Sequence, residues 1–439
     1  MSQRKRQARI LGYRCLACKL DAPWGPTLYG CPSCGRALQI ELDLPALKKT
    51  VGAETFRRSR LPGHWRFIPL LPVETPPPSL SRKNAPASPL ASVGSTPLYR
   101  SRTLERKLRH GPVYIKDEGR NPSDSVKDRS TSLVAARALE EGAQVVIGAG
   151  SGNAAVSLAC MGASVELPTV LVVPADTPVS RLAKLSTFGA HTFLVDGSDE
   201  ACIDLSAKIG RKLGWYVHDS GKNPICREGF KTLAYEIALD LKFDIPDMVL
   251  VAVGNGAVLS GLGKGFDELR QLGLTDRVPK LIGVQPSGAS ALAQAFRNGG
   301  PVARVSVDTQ AQSLRIPEPR DGLAAIKALQ KSGGLCLEVL DEELLEAVVA
   351  LGRLEGVFAE LAGAAALAGL EKLVRERRLR RDRTVVLVVG GYGMDDLTAD
   401  HTEWPRMPAI APTVEAFEEA LARYPRIGPR GHTGAATHH

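Results

Sequence analysis

The stretch Lys116-Asp-Glu-Gly-Arg-Asn-Pro-Ser-Asp-Ser-Val-Lys127-Asp-Arg129 runs from a polar, turn-forming segment into a helix-like one, so Lys127 stands where a helix begins. Two other stretches share this grammar. Gly148-Ala-Gly-Ser-Gly-Asn153 follows the apolar run 145–147, and Val253-Gly-Asn-Gly-Ala257 follows the run 248–253; each opens a helix-like segment. A glycine turn at a helix start leaves backbone N–H groups unpaired at the positive end of the helix dipole, which is what a phosphate needs. Glycine also occurs at such turns for steric reasons alone.

Outward from these loops, short apolar runs at 145–147, 170–173, 248–253, 281–284 and 385–389 alternate with longer helix-like stretches at 130–141, 231–241 and 360–375. Repeated strand–helix alternation predicts an α/β fold with mostly parallel sheets covered on both faces and ligands at the carboxyl ends of the strands. The glycine spacing at 148, 150 and 152 does not fit a dinucleotide fingerprint, and neither loop carries the Lys-Ser or Lys-Thr of a P-loop. The phosphate-bearing group that also uses a lysine is pyridoxal phosphate.

The 439 residues amount to about three domain-equivalents at roughly 150 residues each. With 44% hydrophobic and 23% charged residues, the composition excludes a disordered chain and a small disulfide scaffold. The formal net charge is +9, with basic clusters at Arg4, Lys5, Arg6 and Arg9 and again across 375–383. We read both as solvated, and only 5% aromatic residues argue further against a base-stacking nucleic-acid binder. No run of about 20 apolar residues suggests a membrane span, and the basic N-terminus lacks the apolar core of a secretory signal, so a cytoplasmic protein is expected.

Of eight cysteines, four are organised: Cys15 and Cys18, then Cys31 and Cys34, form two C-x2-C pairs. Two such pairs let four thiolates converge on one tetrahedral zinc, and Gly35 gives the backbone room to turn. The closed coordination shell points to a structural metal that folds the first residues rather than a catalytic one. Iron in the same geometry, a redox pair and paired disulfides are the competing readings, the last disfavoured in a reducing cytosol. Residues 61–97, with Pro76, Pro77 and Pro78, read as an extended, semi-rigid connector. Beyond residue 404 the tail has one predicted helix, 414–423, and an end composed for disorder.

These motifs together resemble the threonine synthase family, within the fold type II (tryptophan synthase β-like) enzymes that use pyridoxal phosphate. The family stretch Lys-Asp-Glu-x-x-Asn-Pro-x-x-Ser-Phe-Lys-Asp-Arg is matched from Lys116 to Arg129, with Val126 in place of Phe. Ser-Thr-Gly-Asn is matched by Gly150-Ser-Gly-Asn153, and the phosphate loop by Gly254-Asn-Gly-Ala-Val258. Asn223-Pro224, Glu228-Gly-Phe-Lys-Thr232, Glu355-Gly-Val-Phe-Ala-Glu360 and Gly391-Tyr-Gly393 followed by Asp396 complete the series in order. Trp65-Arg66, Thr96-Pro97-Leu98 and the cysteine ribbon also look like this group, so the likeness covers residues 13–400.

The resemblance implies a two-lobed α/β, fold type II enzyme fronted by a small zinc ribbon. Its expected divisions are a ribbon at 1–45, a connector at 46–98, a catalytic domain at 99–404 with its smaller lobe at 130–225, and a tail at 405–439. Lys127 would form the internal Schiff base and later take the substrate's α-proton, which requires burial or a nearby cation to depress its pKa. Asn153 would bond the ring oxygen beside the aldehyde, its bland alternative being a helix cap. Backbone donors of Gly254, Asn255, Gly256, Ala257 and Val258 would cradle the cofactor phosphate, while Gly150 and Ser151 would meet the substrate. A homodimer acting on a small amino-acid substrate is expected.

Two departures from the family decide how far function transfers. Its hydroxyl on the pyridine nitrogen falls at Gly390, which has no side chain to offer. Where threonine synthases grip the phosphate of O-phosphohomoserine with Asn, Ser and Arg, this chain has Ser220, Gly221 and Cys226. Lys222 and Arg227 are the cations nearest in sequence and are expected to compensate. The missing arginine weakens the case for phosphohomoserine, and threonine synthesis is the first reading on the resemblance as a whole. The alternatives are β-replacement or elimination on a serine- or threonine-derived amino acid, and a non-catalytic cofactor-binding or ribbon interaction protein.

Overall fold

Strand and helix stretches of the sequence build three sheets. In the computed structural model, residues 9–74, 88–395 and 409–421 are described. They fall into two units, Met1–Asp396 and Leu397–His439. The second contributes one described helix, Val414–Leu421; Arg4 to Arg6, Pro76 to Pro78, Asp396 and the last two positions of the predicted tail helix lie outside the described residues.

Strands β1 (Ile10–Cys15), β2 (Asp21–Ala22) and β3 (Leu38–Leu42) form a small antiparallel sheet in the order β2-β1-β3. The larger sheet takes β4 (Leu98–Arg100), β5 (Val113–Asp117), β10 (Met248–Ala252), β11 (Lys280–Pro286), β12 (Leu335–Val339) and β13 (Val385–Val389) in the order β12-β11-β10-β13-β5-β4. Its ladders are parallel except that between β4 and β5. Between β5 and β10 in sequence come β6 (Val146–Ala149), β7 (Thr169–Pro174), β8 (His191–Val195) and β9 (Tyr216–Val217), an all-parallel sheet in the order β8-β7-β6-β9.

Parallel strands require crossovers and are covered on both faces, so they are read as unbroken apolar runs. All five residues of β13 are buried. The helix Leu361–Arg375 covers the sheet with an Ala- and Gly-rich face, and a Cβ at Gly369 would lie 2.6 Å from a Val284 methyl. The helices Lys127–Glu140 and Pro224–Asp240 approach as closely, since a Cβ at Gly229 would lie 2.1 Å from the Arg129 carbonyl. Backbone contact at that crossing fixes the position of Lys127.

The connector departs from the extended expectation. Residues Gly63–Leu70 form a 3-10 turn that buries Trp65 and Phe67 completely, and the Trp65 indole donates to Leu90 O at 2.9 Å. Large apolar side chains outweighed proline content, because each gains about 1.5–3 kcal/mol on full burial.

Beneath the Lys127 helix lies a buried ionic network. Arg129 donates to Glu118 at 2.6 and 2.8 Å, to Glu236 at 2.7 Å and to Thr232 at 3.1 Å, while Lys116 lies 3.1 Å from Glu236 and 2.9 Å from Asp240. Burial alone would raise Glu236, but Arg129 and Lys116 outweigh it and hold its carboxyl well below the usual range. That contribution is present above the ordinary value of 4.5 and is lost as pH falls below it, so stability should fall on acidification. Arg129→Met strands two buried carboxylates and should cost about 3–5 kcal/mol in denaturant titrations, a loss under 1 kcal/mol being inconsistent with the network.

Candidate active site

Four helix starts and three strand ends converge on one cavity of about 640 Å³. Its walls include Ala149 and Gly150 after β6, Gly254 after β10 and Gly390 after β13. Lys127, Asn153 and Ala257 are each the first residue of a helix, and Glu360 caps the helix Leu361–Arg375. The first turn of each helix has backbone N–H groups without intrahelical partners, so the cavity is biased toward anions.

Lys127 extends along the cavity wall, its amine 5.7 Å from the centroid of the Phe230 ring. Burial lowers its pKa, against the opposing pull of Glu360 and Cys226. Of the two causes of a lowered amine pKa that the sequence left open, the structure shows burial. The preceding turn is pinned by Asp128, whose carboxylate accepts the Ser123 N–H at 2.7 Å and the hydroxyls of Ser123 and Ser157. Burial raises Asp128 to about 6 in spite of those bonds.

Asn153 does not use its side chain to cap its own helix; its amide donates to Glu360 Oε2 at 2.9 Å across the cavity, and Ser313 donates to the same oxygen at 3.3 Å. Gly150 has φ +85°, and Gly150 and Ser151 line the cavity beside Asn153. Gly254, Asn255, Gly256, Ala257 and Val258 wrap the start of the helix Ala257–Gln271. Gly256 has φ +92°, and a Cβ at Gly254 would press on Ser313 O at 3.0 Å, so this loop is a tight backbone cradle. The Asn255 side chain holds the loop's shape by accepting the Arg320 N–H at 3.3 Å, and its carbonyl accepts the Asp321 N–H at 3.0 Å.

Gly390 O accepts the Val126 N–H at 2.8 Å and the Ser125 hydroxyl at 3.4 Å. A Cβ at Gly390 would meet only a Val126 methyl, at 3.8 Å. A hydroxyl-bearing residue therefore fits there, and the glycine is not a packing requirement.

Lys222 and Arg227 are not brought to the cavity. Asn223 caps the helix Pro224–Asp240, which turns Arg227 away toward Asp321, Ser260 at 3.1 Å and Leu38 O at 3.0 Å. All of its reach is spent on these partners, so neither residue fulfils the expected role toward a substrate. The cavity cations are instead Arg304, Arg315 and Arg320, from an irregular segment whose sequence has no periodicity to mark it. Arg320 fits because residue 221 is glycine: a Cβ there would lie 2.3 Å from the Arg320 Cβ. Its guanidinium reaches Asp204 at 3.0 Å and Asp219 at 3.5 Å. His218 also lines the cavity unannounced by any motif; burial lowers it to about 4 against the pull of Asp219, keeping a neutral imidazole there.

Far along the chain from these residues, Cys15, Cys18, Cys31 and Cys34 place their sulfurs within 4.8 Å of one another. Cys15 to Cys34 is 3.5 Å, and Cys18 to Cys31 is 3.6 Å. These separations are too long for disulfides and near the roughly 3.8 Å edge of a tetrahedron with 2.3 Å metal–sulfur bonds.

The model of the family "Pyridoxal-phosphate dependent enzyme" matches residues 90–391. A threonine synthase of Methanocaldococcus jannaschii is 34% identical over 388 residues, covering 87% of this chain and 92% of the relative. A threonine synthase of Methanosarcina acetivorans is 32% identical over 413 residues, covering 93% and 98%. Among solved structures, a fungal L-serine ammonia-lyase from Rhizomucor miehei superposes with a TM-score of 0.61 at 23% identity, over 68% of this chain and 94% of that one, a likeness of fold.

The open space at Gly390 makes a concrete forecast. Gly390→Ser should leave the thermal unfolding midpoint within about 2 °C of the parent, because surface-like substitutions without a clash stay within about 0.5 kcal/mol. A drop of about 8 °C or more would mean that the wall is closed at that point.

Proposed function

Since the chain belongs to the pyridoxal-phosphate dependent enzymes, as a threonine synthase-like member, we propose that Lys127 carries its cofactor and that the reaction is elimination and replacement on an activated amino acid, with O-phosphohomoserine the first substrate. The carrying observation is the Lys127 amine, its pKa lowered by burial, on a cavity that the Gly254–Val258 backbone cradle also lines. The cradle fits the group: a loop of backbone donors at a helix start takes a phosphate dianion, and glycines at 254 and 256 keep side chains out of its space. Bound there, pyridoxal phosphate supplies an electron sink for charge developed at the substrate α-carbon.

The chain's own residues do the rest. Lys127, its amine pKa lowered by burial, is the base for the α-proton and returns it to the α-carbon after the nucleophile has added; with O-phosphohomoserine a β-proton must also leave, and the γ-carbon that loses phosphate gains a proton. Asn153, held by Glu360, is placed to bond the ring oxygen and fix the ring plane. A phosphate leaving group meets Arg320 and Arg315, with Gly150 and Ser151 at the substrate carboxylate. Arg320 replaces the arginine that the family resemblance places at Cys226, the glycine at 221 having opened its path.

The two carboxylate partners of Arg320 support a second reading, in which a serine- or threonine-derived amino acid with a less charged leaving group is used. We assign the four clustered cysteines to structural zinc, in a ribbon over 1–45 that precedes a connector, a catalytic domain over 99–404 and a tail. A homodimer in the cytoplasm is the setting we propose; among the described residues no helix is long and apolar enough to cross a membrane.

Incubating cofactor-loaded enzyme with O-phosphohomoserine should release inorganic phosphate and yield threonine. Phosphate-free product from an O-activated serine, with none released from the phosphate ester, would select the second reading. Arg320→Met should raise KM for the phosphate ester about tenfold or more while leaving pyridoxal phosphate affinity within about twofold, as expected for loss of one charge-assisted contact. An unchanged KM would remove Arg320 from substrate recognition.

A further inference from the structure

The guanidinium that the cavity does not use lies between two other sites. Arg227 Nη1 donates to the carbonyl of Leu38, on β3 of the cysteine ribbon, at 3.0 Å. In the β1–β3 ladder, Leu38 pairs directly with Cys15, one of the four clustered cysteines. On its other side Arg227 forms an ion pair with Asp321 and donates to Ser260 at 3.1 Å, and Ser260 itself donates to Asp321. Asp321 then reaches the cradle: its N–H donates to Asn255 O at 3.0 Å, and its carbonyl lies 3.2 Å from the Cβ position of Gly256. Leu38, Arg227, Ser260 and Asp321 are all buried.

We propose that Arg227 is a positioning residue that couples the ribbon to the phosphate loop, so that metal occupancy of the four cysteines sets how tightly the cofactor phosphate is held. The inference rests on the assignment of that loop to the cofactor phosphate and of the cysteines to a metal. The chain of contacts is short and has no solvent gap: Cys15, Leu38, Arg227, Asp321, Asn255. Arg227 is suited to it because a planar guanidinium with five donors can satisfy a carboxylate, a hydroxyl and a backbone carbonyl at once.

Two further cations tie the same structures together. Lys264, on the helix that begins at the phosphate loop, donates to Ile40 O at 2.5 Å and pairs with Glu228. Lys327, on the helix Gly322–Ser332 that follows Asp321, donates to Leu16 O, between Cys15 and Cys18. Each is a cation from a cofactor-side helix bonded to a ribbon carbonyl. A ribbon without its metal keeps the β1–β3 ladder but loses the cross-link that holds Cys15, the ladder partner of Leu38, and a module this small has little core of its own to replace it. Loss of Leu38 O leaves an Arg227 donor and its Asp321 partner free to shift, and the Asn255 carbonyl shifts with them.

Coupling of this kind is reciprocal: if metal strengthens cofactor binding, the cofactor strengthens metal binding by the same factor. The test uses the full chain, loaded with Zn2+ and pyridoxal phosphate, each bound component first quantified separately so that absence of either is recognised as failure of the underlying assignment. Removing Zn2+ with a chelator should weaken pyridoxal phosphate binding, read by fluorescence titration, about tenfold, within the usual range of coupling. Pyridoxal phosphate should in turn slow Zn2+ release to the chelator. Arg227→Met should lose both effects and Arg227→Lys should recover only part, since ammonium cannot make the forked contact. If Arg227→Met does not fold, Ser260→Ala, which removes one bond of the bridge, should reduce the coupling. Cofactor affinity unchanged by Zn2+ removal, or full coupling retained in the folded Arg227→Met protein, would overturn the proposal.

Discussion

An amine taken out of water, where burial outweighs the opposing pull of Glu360, is the constraint on which the site depends. Lys127 is held in that state by the close crossing of its helix with the helix Pro224–Asp240, where Gly229 lets backbone touch backbone. The ionic network under the same helix is part of this arrangement. Arg129 anchors the helix two residues beyond Lys127, and Asp128 pins the turn just before it. Three consecutive residues of one motif therefore have three distinct settings: a buried amine on the cavity, a loop clamp and a structural anchor.

Most of the architecture was legible because parallel sheets announce themselves as short apolar runs. The five runs read from the sequence overlap β6, β7, β10, β11 and β13. Strand β5, which carries Lys116, is not marked by an apolar run, because its residues mix polar and apolar types. The packed Gly63–Leu70 segment escaped for a different reason: proline density is a local signal, and burial of Trp65 and Phe67 against the body is not. Motif reading singled out Lys127, Asn153 and the Gly254–Val258 loop, and all of them line one cavity, because close backbone approach demands glycine at fixed offsets.

It failed at the substrate side. Nearness in sequence suggested Lys222 and Arg227, but a helix start separates neighbouring side chains by about 100 degrees, and Arg227 lies on the face turned to the ribbon. The cations that do line the cavity come from a segment about 90 residues further on, brought in by tertiary packing alone. The only sequence trace of Arg320 is an absence, the glycine at 221 where a side chain would collide with it.

Of the departures from the family pattern, Ser220 and Gly390 line the cavity and Gly221 makes room for Arg320, which lines it too, while the lysine, the cradle and the helix starts around them are kept. Such a distribution keeps the shared chemistry and leaves the choice of substrate to a few exchanged side chains. The central claim is the bond between Lys127 and the cofactor, and it is tested most directly by reducing the yellow holoenzyme with borohydride and mapping the fixed pyridoxyl group by peptide mass spectrometry. The account predicts one modified residue, Lys127. A pyridoxyl group on any other lysine, or an unmodified Lys127 in fully reduced protein, would contradict it.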